Sequence, residues 1–142
     1  MNHDFDRREL IRRALERQPA AYEPYSGYQV AAAVLMDSGR IYTGVNVENA
    51  SYPAGICAER NAIFHAAACG ERKIIAIAVV GGKEGDNRTI ATPCGICRQV
   101  MREFCDPKEM RVLLARTPED YKEMTLEELL PESFGPENLA GI

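Results

Sequence analysis

The chain has 142 residues, of which 46% are hydrophobic and 27% charged, the make-up of one globular domain large enough to bury a core. Its 17 Lys and Arg against 21 Asp and Glu leave a net charge of -4, which argues against a polynucleotide-binding surface, normally basic. The most apolar run, Ile74 to Val80, is far too short to cross a bilayer, and the polar start Met1-Asn2-His3-Asp4 lacks a signal-peptide pattern, so a cytoplasmic protein with reduced cysteines and no membrane partner is expected.

Leu10, Ile11, Ala14 and Leu15 recur at helical spacing between Asp4 and Arg17, and Pro19 ends this first helix. The segment Tyr22-Glu23-Pro24-Tyr25-Ser26-Gly27-Tyr28 reads as a loop whose rings pack on the core. Tyr28 to Met36 is a buried strand rich in Ala and Val, Asp37-Ser38-Gly39 is a turn, and Arg40 to Val47 alternates as a second strand, so the two make an antiparallel hairpin. Asn46 and Glu48 lie two apart at its far end and share a face. An amide and a carboxylate so placed can grip a sugar hydroxyl, or can be no more than a solvated strand end.

Cys57 to Ala68 reads as a helix with Ile63 and Phe64 buried and Gly70 as its stop. Lys73 to Val80 hardly alternates, as expected of a strand covered on both faces, and Gly81 to Asn87 reads as a polar loop. A further helix runs from Cys94 to about Phe104, a buried strand from Met110 to Ala115 and an edge strand from Tyr121 to Met124. Thr125-Leu126-Glu127-Glu128 has the form of a capping box, and in the irregular tail Phe134 is an aromatic for which another subunit is the natural cover. The order predicts a single α/β domain over 1–142, three-layered α/β/α, with a mixed five-stranded sheet between helices.

The chemistry-bearing residues are cysteines. Cys94 and Cys97 form a Cys-x-x-Cys pair at the start of a helix, where both thiols face one way and the dipole favours thiolate. Cys57, opening the other helix, supplies a third sulfur. Three protein ligands leave one position open on a zinc ion, the pattern of a catalytic site, and Glu59 two residues on is placed as an acid/base group. His65 lies about two turns deeper and reads as a packing or surface histidine, while Cys69 and Cys105 have no partner at ligand spacing and read as small hydrophobes. Arg60 and Arg98, beside the ligand segments, are candidate donors to cysteine sulfur that would withdraw charge from an electron-rich metal.

The ordered set Tyr22-Glu23-Pro24-Tyr25-Ser26, Asn46-Val47-Glu48-Asn49-Ala50, Cys57-Ala58-Glu59-Arg60, Pro93-Cys94-Gly95-Ile96-Cys97-Arg98-Gln99 and Glu128-Leu129-Leu130-Pro131 resembles the zinc-dependent cytidine deaminases, specifically the homotetrameric type with three cysteine ligands. The resemblance implies one zinc per subunit on Cys57, Cys94 and Cys97, with Glu59 shuttling protons. The implied reaction is hydrolytic deamination of cytidine and deoxycytidine, as in pyrimidine salvage. Asn46 and Glu48 would hold the ribose 3′-hydroxyl, Tyr28 would stand against the pyrimidine in place of the family's phenylalanine, and the Ala58 amide would meet the 2-carbonyl. The Thr92 carbonyl would accept from the 4-amino group, and Tyr52 and Phe134 would reach a neighbouring subunit's substrate. Ala31 and Thr92 depart from the family's usual glycine and serine.

Three alternatives compete: a zinc deaminase acting on cytosine, a deoxycytidine nucleotide or an aminoglycosyl nucleoside; a structural zinc module with a closed fourth ligand; and an editor of single-stranded nucleic acid. Glu48 opposes a nearby phosphate, no fourth cysteine has ligand spacing, and the acidic balance opposes the last.

Overall fold

The computed structural model describes residues 4–140. Helix α1 (Arg7–Arg17) is followed by strands β1 (Tyr28–Met36) and β2 (Ile41–Val45), helix α2 (Ala58–Ala68), strand β3 (Ile74–Lys83), helix α3 (Gly95–Glu103), strands β4 (Arg111–Thr117) and β5 (Asp120–Thr125), and the single turn α4 (Leu126–Leu129). The strands form one sheet in the order β2-β1-β3-β4-β5. β1 pairs antiparallel with β2 and β3, β4 pairs antiparallel with β5, and only β3 and β4 run parallel, joined through α3. The expected three-layer arrangement with a mixed five-stranded sheet is therefore present.

Strand alternation divides the core into two. Ala31 and Ala33 of β1 and Ala76 and Ala78 of β3 face Leu10, Ile11 and Ala14 of α1. Ala32, Val34, Ile77 and Val79 face the other way, against Ala58, Ala62 and Ile63 of α2 and Cys97 and Met101 of α3. β3 is buried from Ala76 to Gly82, as the unalternating run predicts.

α2 lies close on β2, and Gly44 makes this possible. A Cβ at Gly44 would stand 2.8 Å from the Ala58 carbonyl oxygen and 2.9 Å from the Asn61 carbonyl carbon, and closer still to the Ala62 amide. Because α2 carries Cys57 and Glu59 at its start, this contact sets the height of the site above the sheet. The other end of α2 is tied to the hairpin turn by Glu71, a buried carboxylate that accepts from Ser38 Oγ at 2.7 Å and Tyr42 Oη at 2.8 Å. These donors, Ser38 foremost, hold its carboxyl below the usual carboxylate range.

Several boundaries differ from the sequence reading. α1 begins at Arg7 rather than near Asp4, because the Asp6 side chain caps it by accepting from the Glu9 amide. β3 continues through Gly81 and Gly82 to Lys83, pairing with Val30, Gln29 and Tyr28; these glycines read as loop, yet they are where other groups press on the strand. Gly81 lies under Tyr28 and Ala91, and Gly82 under the Asp86 carbonyl. β2 stops at Val45, so Asn46 and Glu48 lie beyond the strand, on a segment held by bridges from Val47 to Tyr22 and Ile56. Phe64 is 45% exposed on the outer side of α2 instead of buried. Cys69 is exposed and thus no core hydrophobe, whereas Cys105 is half-buried and its thiol is pushed up to about 12 by burial.

Candidate active site

Helices α2 and α3, packed on the face of the sheet opposite α1, both begin at a cysteine. Cys57 is the N-cap of α2 and Cys94 the N-cap of α3, and Cys97 is buried in the first turn of α3. The three sulfur atoms lie within 4.8 Å of one another, with Cys57 and Cys94 3.8 Å apart. A tetrahedral zinc with bonds of about 2.3 Å needs sulfurs about 3.8 Å apart, so the donor set fits that ion in kind and in spacing. Two helix N-termini also converge here, and their unpaired amides favour thiolates.

The sulfurs hydrogen-bond with one another. A hydrogen bond with Cys97 is the main reason the Cys57 thiol is pushed down to about 5, helped by Arg60 and Cys94. The same bond, with burial, pushes Cys97 up. Arg60 donates from Nη2 to Cys57 Sγ at 3.4 Å, and this contact raises its own guanidinium pKa. Arg60 thus stands against one of the sulfurs. Arg98 does not. Its Nε donates to the Pro93 carbonyl at 2.8 Å and its Nη1 to the Leu129 carbonyl at 2.7 Å. Through the Pro93 carbonyl this arginine supports the Cys94 loop by the backbone rather than by a bond to sulfur.

Glu59, the second residue of α2, is 4% exposed. Burial is the main cause that pushes its carboxyl up to about 7, and its Oε1 is buried with no hydrogen-bond partner. It lines a cleft of about 820 Å³ that runs from the sulfur cluster towards the loop before β1. Tyr28, Asn46, Glu48, Tyr52, Ala58 and Thr92 all line the same cleft. Seven residues predicted from distant stretches are thereby brought together.

The polar grip at the far end is already wired. Asn46 accepts from the Val30 amide at 3.0 Å and donates to the Tyr28 carbonyl at 2.8 Å. Glu48 accepts from the amides of Tyr25 and Ser26 at 3.0 and 3.1 Å and from the Ser26 hydroxyl, which in turn accepts from the Tyr28 amide. These donors, Ser26 foremost, keep the Glu48 carboxyl below its ordinary range. Hydrophobic pattern puts Ser26 in a packing loop, and its Pro-Tyr-Ser setting is the local signal that could point to it. Tyr52 is 77% exposed at the rim, edge-on to Tyr25 with centroids 6.1 Å apart. It lines the cleft of its own chain, while Phe134 lies away from that cleft, 59% exposed. His65 packs edge-on against Tyr42 and is no part of the cluster.

Comparison with known proteins agrees with this geometry. Residues 5–113 match the family model of the cytidine and deoxycytidylate deaminase zinc-binding region. A cytidine deaminase of Halalkalibacterium halodurans is 46% identical over 134 residues, covering 94% of this chain and 98% of that protein. One of Sporosarcina psychrophila is 42% identical over 135 residues, covering 95% and 96%. The crystal structure of cytidine deaminase from Burkholderia pseudomallei superposes with a TM-score of 0.80 at 40% identity, covering 94% of this chain and all of the other. Among the described residues no helix is long and apolar enough to cross a membrane. With a buried carboxyl beside three sulfurs that fit one zinc per subunit, and with similarity along nearly its whole length, this chain belongs to the cytidine deaminase family of zinc-dependent hydrolases.

Proposed function

We propose that the chain hydrolyses cytidine and deoxycytidine to uridine and deoxyuridine with release of ammonia, a step of pyrimidine salvage in the cytoplasm. The observation that carries this reading is a nine-tenths-buried carboxyl, Glu59, facing the same cleft as a three-sulfur cluster. Cys57, Cys94 and Cys97 would hold the zinc, which when bound would supply Lewis acidity and make water ionisable near neutral pH.

The remaining work falls to the chain's own groups. Glu59, poised near 7, takes a proton from the attacking water and gives it to N3 of the pyrimidine, which makes C4 electrophilic. The water oxygen bonds to C4. Glu59 then moves the second proton to the 4-amino nitrogen, the C4–N bond breaks, and ammonia leaves. The first-turn amide of Ala58 has no acceptor within its helix and is offered to the 2-carbonyl. The Thr92 carbonyl accepts from the amino group and orients it. Tyr28, its amide tied to Ser26, covers the ring. Arg60 offsets part of the surplus negative charge of three thiolates on a dication.

Asn46 and Glu48 select the sugar. Held by backbone groups, neither can collapse onto a smaller ligand, and both present free lone pairs or protons to the 3′-hydroxyl. Contact at the 3′ position accommodates ribose and deoxyribose alike, and Glu48 repels a phosphate. The enzyme is a homotetramer of the three-cysteine type, in which the outward-standing Phe134 and the rim residue Tyr52 serve a neighbouring copy's substrate. A panel of cytidine, deoxycytidine, cytosine and the two 5′-monophosphates, followed by loss of the cytosine absorbance and by ammonia release, tests the assignment. Both nucleosides are expected to exceed cytosine and the monophosphates in kcat/KM by roughly 10²-fold or more. Preference for the free base or a nucleotide would overturn it.

A further inference from the structure

Arg102 is a charged side chain only 6% exposed, in the last turn of α3, outside the sulfur cluster. Its Nε donates to Ser133 Oγ at 2.8 Å, and its two terminal nitrogens pair with both oxygens of Glu137. Between those residues the main chain crosses the guanidinium face at Gly135, where a Cβ would fall onto the guanidinium carbon itself. Gly135 is buried and extended, so its missing side chain is needed for space and not for backbone conformation. One turn back along α3, Gln99 donates to the Phe134 carbonyl at 2.9 Å. Arg98, beside it, holds the Leu129 carbonyl. Residues 98, 99 and 102 share one helix face. The helix that carries Cys97 thus grips residues 129–137 at three heights, and the grip closes on both sides of Phe134. Phe134 itself keeps its ring 59% exposed.

A burial this costly for an arginine is poorly explained as general stabilisation, since a tail can be docked by apolar contacts alone. It does fix the direction of a residue that touches little of its own chain. We propose that Arg102, closed by Gly135 and Glu137, is a positioning residue that presents Phe134 as a preorganised aromatic to substrate bound in a second copy of this chain. The inference rests on the reading that Phe134 reaches a neighbour's substrate. The bidentate pairing makes the fork of arginine essential, because lysine offers one point charge and leaves Ser133 or Glu137 unheld.

The test is steady-state kinetics on cytidine for Phe134→Ala, Glu137→Gln, Arg102→Lys and the double variants with Phe134→Ala, each with zinc content, oligomeric state and thermal midpoint measured. Glu137 is largely exposed, so its variant folds even where an Arg102 variant does not. Loss of the clamp is expected to raise KM roughly tenfold with kcat within about threefold, at unchanged zinc content and subunit number. In the Phe134→Ala background the clamp variants are expected to add nothing. A normal KM in Glu137→Gln, with a raised KM in Phe134→Ala, would overturn the clamp alone, as would full additivity of the two changes. A normal KM in Phe134→Ala would overturn the underlying reading of Phe134 and the clamp with it.

Discussion

Glu59→Gln is expected to lower turnover on cytidine by roughly 10²–10⁴-fold, the worth of general acid/base catalysis, while fold and zinc content stay as they are. The two side chains have nearly one shape, so the buried site of Glu59 is kept filled. All three metal ligands are sulfurs on other residues, so the ion has no reason to leave. What is lost is a group that can bind and release a proton near neutrality. In the native chain that property comes mainly from burial, which pushes the carboxyl up to about 7. An amide does neither at any working pH. Turnover by absorbance, with metal analysis and circular dichroism on the same preparation, checks this; a zinc-loaded Glu59→Gln variant with near-native turnover would remove the residue from the chemistry.

The second large effect is expected at a residue with no chemistry. Gly44→Ala puts a methyl against the backbone of α2, at the Ala58 carbonyl and the Ala62 amide. Backbone cannot rotate away as a flexible side chain can, so helix and strand must separate. Overpacking of this kind costs about 1–3 kcal/mol, which lowers Tm by several degrees. The activity loss should be larger than the stability loss suggests. Cys57 and Glu59 sit on the first turn of the displaced helix, and misplacement of a catalytic group by about 1 Å can cost roughly 10²-fold. Calorimetry and kcat/KM on one sample measure both. A Gly44→Ala chain with native Tm and native activity would show that the close approach of α2 to β2 does not set the site.

The parts of this account legible from sequence are those in which spacing and chemistry coincide. Cys94 and Cys97 three apart at one helix start, with Cys57 and Glu59 at another, mark the cluster in the sequence, because that spacing turns the first two sulfurs one way; the approach of Cys57 depends on how the sheet sets α2 beside α3. The unalternating run of β3 announced burial on both faces. Less was visible where a residue's meaning depends on what lies across space. Gly81 and Gly82 looked like loop but are strand, because the groups that press on them, Tyr28, Ala91 and Asp86, come from elsewhere. Phe64 looked buried because the hydrophobic pattern cannot tell the inner side of α2 from a surface that faces outward. Arg98 stood beside a ligand and suggested a bond to sulfur, yet two carbonyls, one of them 31 residues away, claim its donors. Arg102 carried no signal at all, since its partners Ser133 and Glu137 are ordinary polar residues in an irregular tail. Asn46 and Glu48 could be read either as a sugar grip or as a solvated strand end. Their wiring to the 25–30 backbone is what gives them fixed directions in the cleft.

X-ray absorption at the zinc K-edge of the Glu59→Gln protein tests the central claim most directly. The variant keeps the whole ligand set and is slowed enough for the substrate complex to be trapped by freezing directly after the nucleoside is mixed in. Three sulfur scatterers at about 2.3 Å and one lighter atom at about 2.0 Å are predicted, with only the lighter atom perturbed when cytidine is added. Four sulfurs, or a shell indifferent to cytidine, would make the centre structural and contradict the account.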